Sequence, residues 1–478
     1  MNDYTEPPRA PNEAPNHQAR TSPAGAESAR FFLRTDWLSF GMTTALALGG
    51  YLLTLAPQVT LGFSGVFSVG AMYAGVPHPP GYPLWTIYAW IFTVLLPFSN
   101  VAWRVAVSSA VAGALACGVI ALMVSRGGVL IVEAIPGFKR LKPKAESLLR
   151  VVSGSVAGLA FGFDGAFWGR AVVADVWPLS VLLLSIVLCS LMRWMQAPDQ
   201  KRFLCAAFFV YGLTISNSQA LLTAAFGLQL LVMFGDRELG RDILFANTIL
   251  FIAGWAADSM DYLPWPESYE AQVNPLRAIF LLIGIGSVLL CIALTIKTRR
   301  FLTKWRTIFV SGVMFVLGAS IYFYVPIASM TNPPINWGYA RTVTGFFHAL
   351  TRGQYERVHL TDSFGRLVEQ MRMYGEIAVT EFGLVYLFIA LVPFCFLRRM
   401  QSRERGWVLG LMAVYFCLAL LMLVVLNPTN DRQSRELTKV FFSASHLVLA
   451  VWTGCGLVLL GSLLARARDS DRSGSRTA

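Results

Sequence analysis

Three short polar segments hold the side chains that could bind or activate a substrate. Pro77-His-Pro-Pro-Gly-Tyr82 fixes His78 between prolines. Its imidazole could bind phosphate, act as a general base or ligate a metal, and it could equally do no more than orient a turn. Phe167-Trp-Gly-Arg-Ala-Val-Val-Ala-Asp-Val-Trp177 carries Arg170 and Asp175. Asp175 stands at the entry of an apolar run, and acidic groups at membrane depth are costly and tend to be functional. Asn332-Pro-Pro-Ile-Asn-Trp-Gly338 carries Asn336 and Trp337, with Arg341, His348 and Arg352-Gly-Gln-Tyr355 after it. Guanidinium forks match phosphate oxygens in pairs, so Arg341 and Arg352 could hold an anionic group, as could Arg432 and Arg435 beside Lys439. The alternative is an amphipathic helix between 342 and 357 whose arginines touch lipid head groups. Asn217, Ser218 and Gln219 read as a hairpin that satisfies its own turn.

The elements that must position these segments are membrane helices. Of 478 residues, 55% are hydrophobic and 14% charged, against about a quarter charged in a soluble domain. Runs long enough to cross a bilayer, roughly 20 residues each, recur throughout. Spans are expected at 37–56, 102–125, 150–168, 176–195, 203–217, 219–234, 242–258, 278–296, 307–327, 382–398, 406–426 and 440–465. The fold class is all-α and polytopic, with about twelve transmembrane helices. Residues 1–36 and 466–478 are polar, lack a signal-peptide core and read as disordered tails around a membrane domain of 37–465. The seven cysteines form no CxxC pair and read as small buried hydrophobes.

The net charge of +12 does not imply nucleic acid, because most Lys and Arg sit in clusters between apolar runs. Those clusters fall on one side if the spans from 102 onward are as given, and the positive-inside rule makes that side cytoplasmic. With Arg30 and Arg34 also inside, the run 82–97 lies in the interface as a helix begun by Pro83. The other solution puts the N-terminus outside and lets 82–97 cross. On the first solution both termini are cytoplasmic and all three polar segments face outward together. No P-loop, Rossmann glycine pattern, HExxH or GxSxG occurs.

At these residues the chain resembles a bacterial membrane family with an HPPGYP motif, whose eukaryotic relative is transmembrane protein 260, a protein O-mannosyltransferase. The matching stretches are VPHPPGYPLW, FWGRAVVADVWPLS, NPPINWG with RGQY, and VFFSASHLVLAVWTGCGL. The resemblance implies a GT-C type fold with an interfacial helix in the first outer loop. It further implies transfer of a sugar, mannose in the relative, from a polyprenyl-phosphate donor to an extracytoplasmic protein. Asp175 falls where the family has an acidic residue. The family's first-loop acids are missing: Phe63 and Val66 stand in their places, and no Asp or Glu occurs from 37 to 132.

The expectation is therefore a membrane glycosyltransferase-like protein, with Asp175 and His78 as catalytic candidates. Tyr82, Arg170, Asn336, Trp337, Arg341, Arg352, Arg432 and Arg435 would bind substrate. The cofactor stays open, a divalent metal included. Expected partners are the lipid-linked sugar, an acceptor protein and membrane lipid, without nucleic acid. The alternative is a non-catalytic relative that binds lipid or a partner as a subunit of a membrane complex. Transport is the weaker third reading, since no charge lies deep in an expected span. The expected location is a bacterial inner membrane.

Overall fold

The computed structural model describes residues 31–138, 141–260, 275–351 and 360–474. The chain divides into Met1–Leu33 and Arg34–Ala478, and the second unit holds every element below. Its first helices are α1 (Arg34–Leu53), α2 (Ser64–Met72), α3 (Pro83–Leu95), α4 (Val101–Glu133), α5 (Pro143–Gly162) and α6 (Gly165–Ala171). Then come α7 (Trp177–Gln196), α8 (Lys201–Asn217), α9 (Ala225–Gly235), α10 (Arg237–Ser259), α11 (Pro275–Thr298) and α12 (Trp305–Ala319). The series ends with α13 (Tyr324–Met330), α14 (Val343–Leu350), α15 (Phe364–Cys395), α16 (Ser402–Phe416), α17 (Met422–Leu426) and α18 (Arg432–Gly474). Short 3-10 turns precede α9 and α13, and a π turn joins α16 to α17. Among the described residues the only sheet-like pairing is an isolated parallel bridge, Val76 with Asn336.

Eight helices among the described residues are long and apolar enough to cross a membrane, or nine if α5 and α6, bent by 75°, make one span. The chain is thus an all-helical polytopic membrane protein. The expected segments 37–56, 203–217 and 219–234 are helical but are not among those eight. The expected first-loop helix is present as α3, whose 13 residues fall short of the roughly 20 needed to cross. Two loops are shorter than expected. The stretch 364–381 is helical because Ser363 caps it and because Gln370, Met373, Tyr374, Ala378 and Phe382 form a buried stripe at helical spacing. That stripe packs on Met422, Leu423 and Phe442. The last helix likewise begins at Arg432.

α4 is the axis, packed by α1, α5, α7 and α18. α5 approaches it through glycines one turn apart. A Cβ on Gly154 would lie 2.7 Å from the Ala121 carbonyl oxygen, and one on Gly158 would lie 2.5 Å from that of Cys117. Small residues at this spacing let helix backbones meet where lipid gives no hydrophobic drive to association. At one end of the crossing Arg150 and Asp36, both buried, pair at 2.5 Å, and Ser125 donates to the same carboxylate at 2.5 Å.

Gly158→Leu is expected to force α4 and α5 apart and to cost roughly 1–3 kcal/mol, the range for overpacking a tight contact. The check is the unfolding midpoint in detergent, with an exposed glycine such as Gly41 substituted as control.

Candidate functional site

The first polar segment is the hub. The Val76 N–H donates to the Ile335 carbonyl at 3.0 Å, and the Trp337 N–H donates to the Val76 carbonyl at 2.9 Å. The Tyr324 hydroxyl donates to the Ala74 carbonyl. Gly75 lets the two segments close, since a Cβ there would lie 2.5 Å from the Ile335 oxygen. Beneath the pairing Val76, Val325, Ala328, Ala340 and Ala349 form a small buried cluster. This contact sets His78 beside Trp337, ring centres 5.6 Å apart, with Tyr82 stacked at 6.0 Å and Phe63 edge-on at 4.7 Å. The His78 Nδ1 lies 2.8 Å from the Pro79 carbonyl, which can only accept, so Nδ1 carries the proton. Asn336 donates through Nδ2 to the Ser329 carbonyl at 2.9 Å, while its buried Oδ1 meets no donor.

The second segment docks on the same hub. Trp85, fully buried on α3, donates through Nε1 to the Asp175 carbonyl at 2.9 Å. Ser109 of α4 is 3.1 Å from both the carbonyl and the N–H of Asp175. Asn217, at the end of α8, donates to the Val176 carbonyl at 3.2 Å and to Ser180 Oγ at 2.8 Å. The carboxylate accepts from the Trp177 N–H at 2.7 Å through Oδ1 and from Arg170 at 3.2 Å through Oδ2. Burial pushes the Asp175 carboxyl above the usual carboxylate range, and Arg170 and the Trp177 N–H only partly offset that. Asp175 is 9% exposed and lies beside a half-exposed guanidinium. It can therefore exchange a proton at a higher pH than a free carboxylate.

His78, Tyr82, Asn336 and Trp337 are thus in one contact group, and Arg170 with Asp175 joins it through Trp85. Arg341 is on the same loop, donating to Asn332 Oδ1 at 3.1 Å with its guanidinium over Tyr339. Arg435 is engaged elsewhere, with Glu376 of α15 at 2.8 Å and with Asn430. Arg432 is exposed at the start of α18, and Arg352 lies outside the described residues. Among the described residues no three His, Cys, Asp or Glu side chains are grouped to hold a metal ion.

Sequence reasoning missed the supports Trp85, Ser109 and Asn217, whose types look ordinary in apolar helices. It also missed a second polar cluster where α5 breaks into α6. Asp164 lies 2.6 Å from His446 Nδ1 of α18, both fully enclosed, and Glu381 of α15 accepts the Gly165 N–H at 2.6 Å. Asp164 stands at the break itself, and Glu381 and His446 lie within α15 and α18. The only sequence signal was a polar residue in an apolar run, at His446.

Fold and site together define a polytopic helical membrane protein with a carboxylate–arginine pair and an aromatic-lined loop cluster at one end of the bundle. Residues 64–240 match the family model described as Protein O-mannosyl-transferase TMEM260 N-terminal domain. The chain is 27% identical over 215 residues to Protein O-mannosyl-transferase TMEM260 of Mus musculus, covering 43% of this chain and 27% of the relative. It is 40% identical over 68 residues to Protein O-mannosyl-transferase tmem260 of Dictyostelium discoideum, covering 14% of this chain and 8% of that protein. The chain is related to these proteins, and the aligned parts span about a quarter or less of their lengths. No solved structure matches the chain significantly.

Arg170→Met removes the main offset to burial, so the Asp175 carboxyl is expected to hold its proton to a still higher pH. The protonated C=O stretch in pH-difference infrared spectra, assigned with Asp175→Asn, checks this.

Proposed function

We propose that this chain is a GT-C type membrane glycosyltransferase. It would move a sugar, mannose by analogy with the relatives' names, from a polyprenyl-phosphate donor to a hydroxyl of an extracytoplasmic protein. The observation that carries the reading is Asp175. Its carboxylate is nearly enclosed and accepts the Trp177 N–H, its backbone is held by Trp85 and Ser109, and it lies within the stretch that matches the O-mannosyl-transferase family model. Residues 37–465 would form the membrane domain between cytoplasmic tails, in a bacterial inner membrane, with the loop cluster facing outward.

In an inverting displacement the acceptor oxygen forms a bond to the anomeric carbon while the bond to the donor phosphate breaks. The phosphate leaves with the electron pair, and a base takes the hydroxyl proton. Asp175 is the base in this reading, since burial lifts its proton affinity toward what the step needs. Arg170 holds it in place, and His78, Tyr82, Asn336 and Trp337 frame the sugar. Arg341, Arg352 and Arg432 are candidates to offset charge on the departing phosphate, whereas Arg435 is held by Glu376.

A second reading, a non-catalytic lipid- or partner-binding subunit, is favoured by Phe63 and Val66. Phe63 is half exposed and packs on His78 where the resemblance places an acid, and a phenyl ring accepts no proton.

The test is transfer from radiolabelled polyprenyl-phosphate mannose to acceptor protein in reconstituted vesicles. Asp175→Asn is expected to lower kcat by roughly 100-fold or more, the usual size of a general base's contribution. A wild type that binds donor and transfers nothing supports the second reading, and full activity in Asp175→Asn removes that residue from the mechanism.

A further inference from the structure

The polar cluster at the α5–α6 break has no part in the catalytic scheme, although enclosing the Asp164 carboxylate and the His446 imidazole is costly unless they are bonded. Its hydrogen bonds gather at the start of α6. Gly165 donates its N–H to Glu381 Oε2 at 2.6 Å. Ala166 and Phe167 donate theirs to Asp164 Oδ1 at 2.8 and 3.4 Å. The other oxygen of Asp164 is held by His446 at 2.6 Å. The first three amides of α6 are thus taken by two carboxylates, one carried by α15 and the other steadied by α18. At the far end of the same seven-residue helix, Arg170 reaches Asp175. α6 is further tied by Trp168 to Thr54 at 3.0 Å, and the Val172 carbonyl accepts the Ala56 N–H at 2.9 Å.

We infer that Glu381 and the Asp164–His446 pair are positioning residues: through α6 they set where Arg170 stands and so the orientation of the Asp175 carboxylate. A seven-residue helix has too few internal bonds to hold its own geometry, so its first turn is fixed by these acceptors. The helices that supply them are otherwise remote from the loop cluster in sequence. The inference rests on the proposed role of Asp175, but its structural part is testable without any transfer.

The experiment is amide hydrogen exchange on the full-length protein in nanodiscs, comparing wild type, Glu381→Ala, Glu381→Gln and His446→Ala. A glutamine carbonyl can still accept the Gly165 N–H, whereas alanine cannot. Losing such a cap speeds opening by about fivefold, so Glu381→Ala and His446→Ala are expected to accelerate exchange by that factor. The acceleration should extend from Gly165 through Asp175 and Trp177, with Glu381→Gln close to wild type. Acceleration confined to 165–167, no acceleration, or Glu381→Gln behaving like Glu381→Ala would each overturn the inference. Where transfer is measurable, Glu381→Ala should lower kcat about fivefold with KM for the donor unchanged, and Glu381→Gln should restore it. A wild type without transfer sinks the catalytic reading while the exchange result still decides the clamp.

Discussion

The reciprocal hydrogen bonds between Val76 and the backbone around Asn336 are the constraint on which the loop cluster depends. An irregular backbone beside a bilayer must find its partners within the protein, because each unpaired N–H or C=O costs several kcal/mol in hydrocarbon. Val76 meets that need with Ile335 and Trp337. Once that pairing closes, His78 must face Trp337, and the short helix that follows must place Trp85 against the Asp175 carbonyl. The aromatic group and the carboxylate are thus held by one loop, which acts on two others.

The two acidic groups of this region are handled differently. Asp175 keeps part of its carboxylate near a half-exposed arginine, while its backbone is bonded on both sides. Asp164 is fully enclosed, and its oxygens are engaged by a histidine and a helix start. The first is built to stay available, the second to hold. The contrast separates them more firmly than residue type or distance along the chain, since only eleven positions part them in sequence.

Much of this was legible beforehand. The helical class follows from apolar runs, and the convergence of His78, Tyr82, Asn336 and Trp337 was anticipated because Pro, Gly and Trp concentrate in those loops. Other features were not legible. The helix from Phe364 was hidden because its stripe of Gln370, Met373 and Tyr374 mixes polar with apolar residues, so hydropathy sees no span until 382. Trp85, Ser109 and Asn217 act through backbone atoms of distant residues, which leaves no mark on composition. Arg435 looked available in the sequence, yet Glu376 engages it from another helix.

The contacts that shape the loop cluster and the neighbouring acidic cluster join residues far apart along the chain. Tyr324 closes on Ala74 across 250 positions, and His446 reaches Asp164 across 282. A chain made from its N-terminus places the first of each pair in the membrane long before its partner exists. During synthesis the early loop therefore carries open backbone groups and an unheld carboxylate, the kind of exposed intermediate that invites misassembly. The histidine contact comes only with α18, so a chain released before it would sit in the bilayer with many of its helices present and Asp164 unheld.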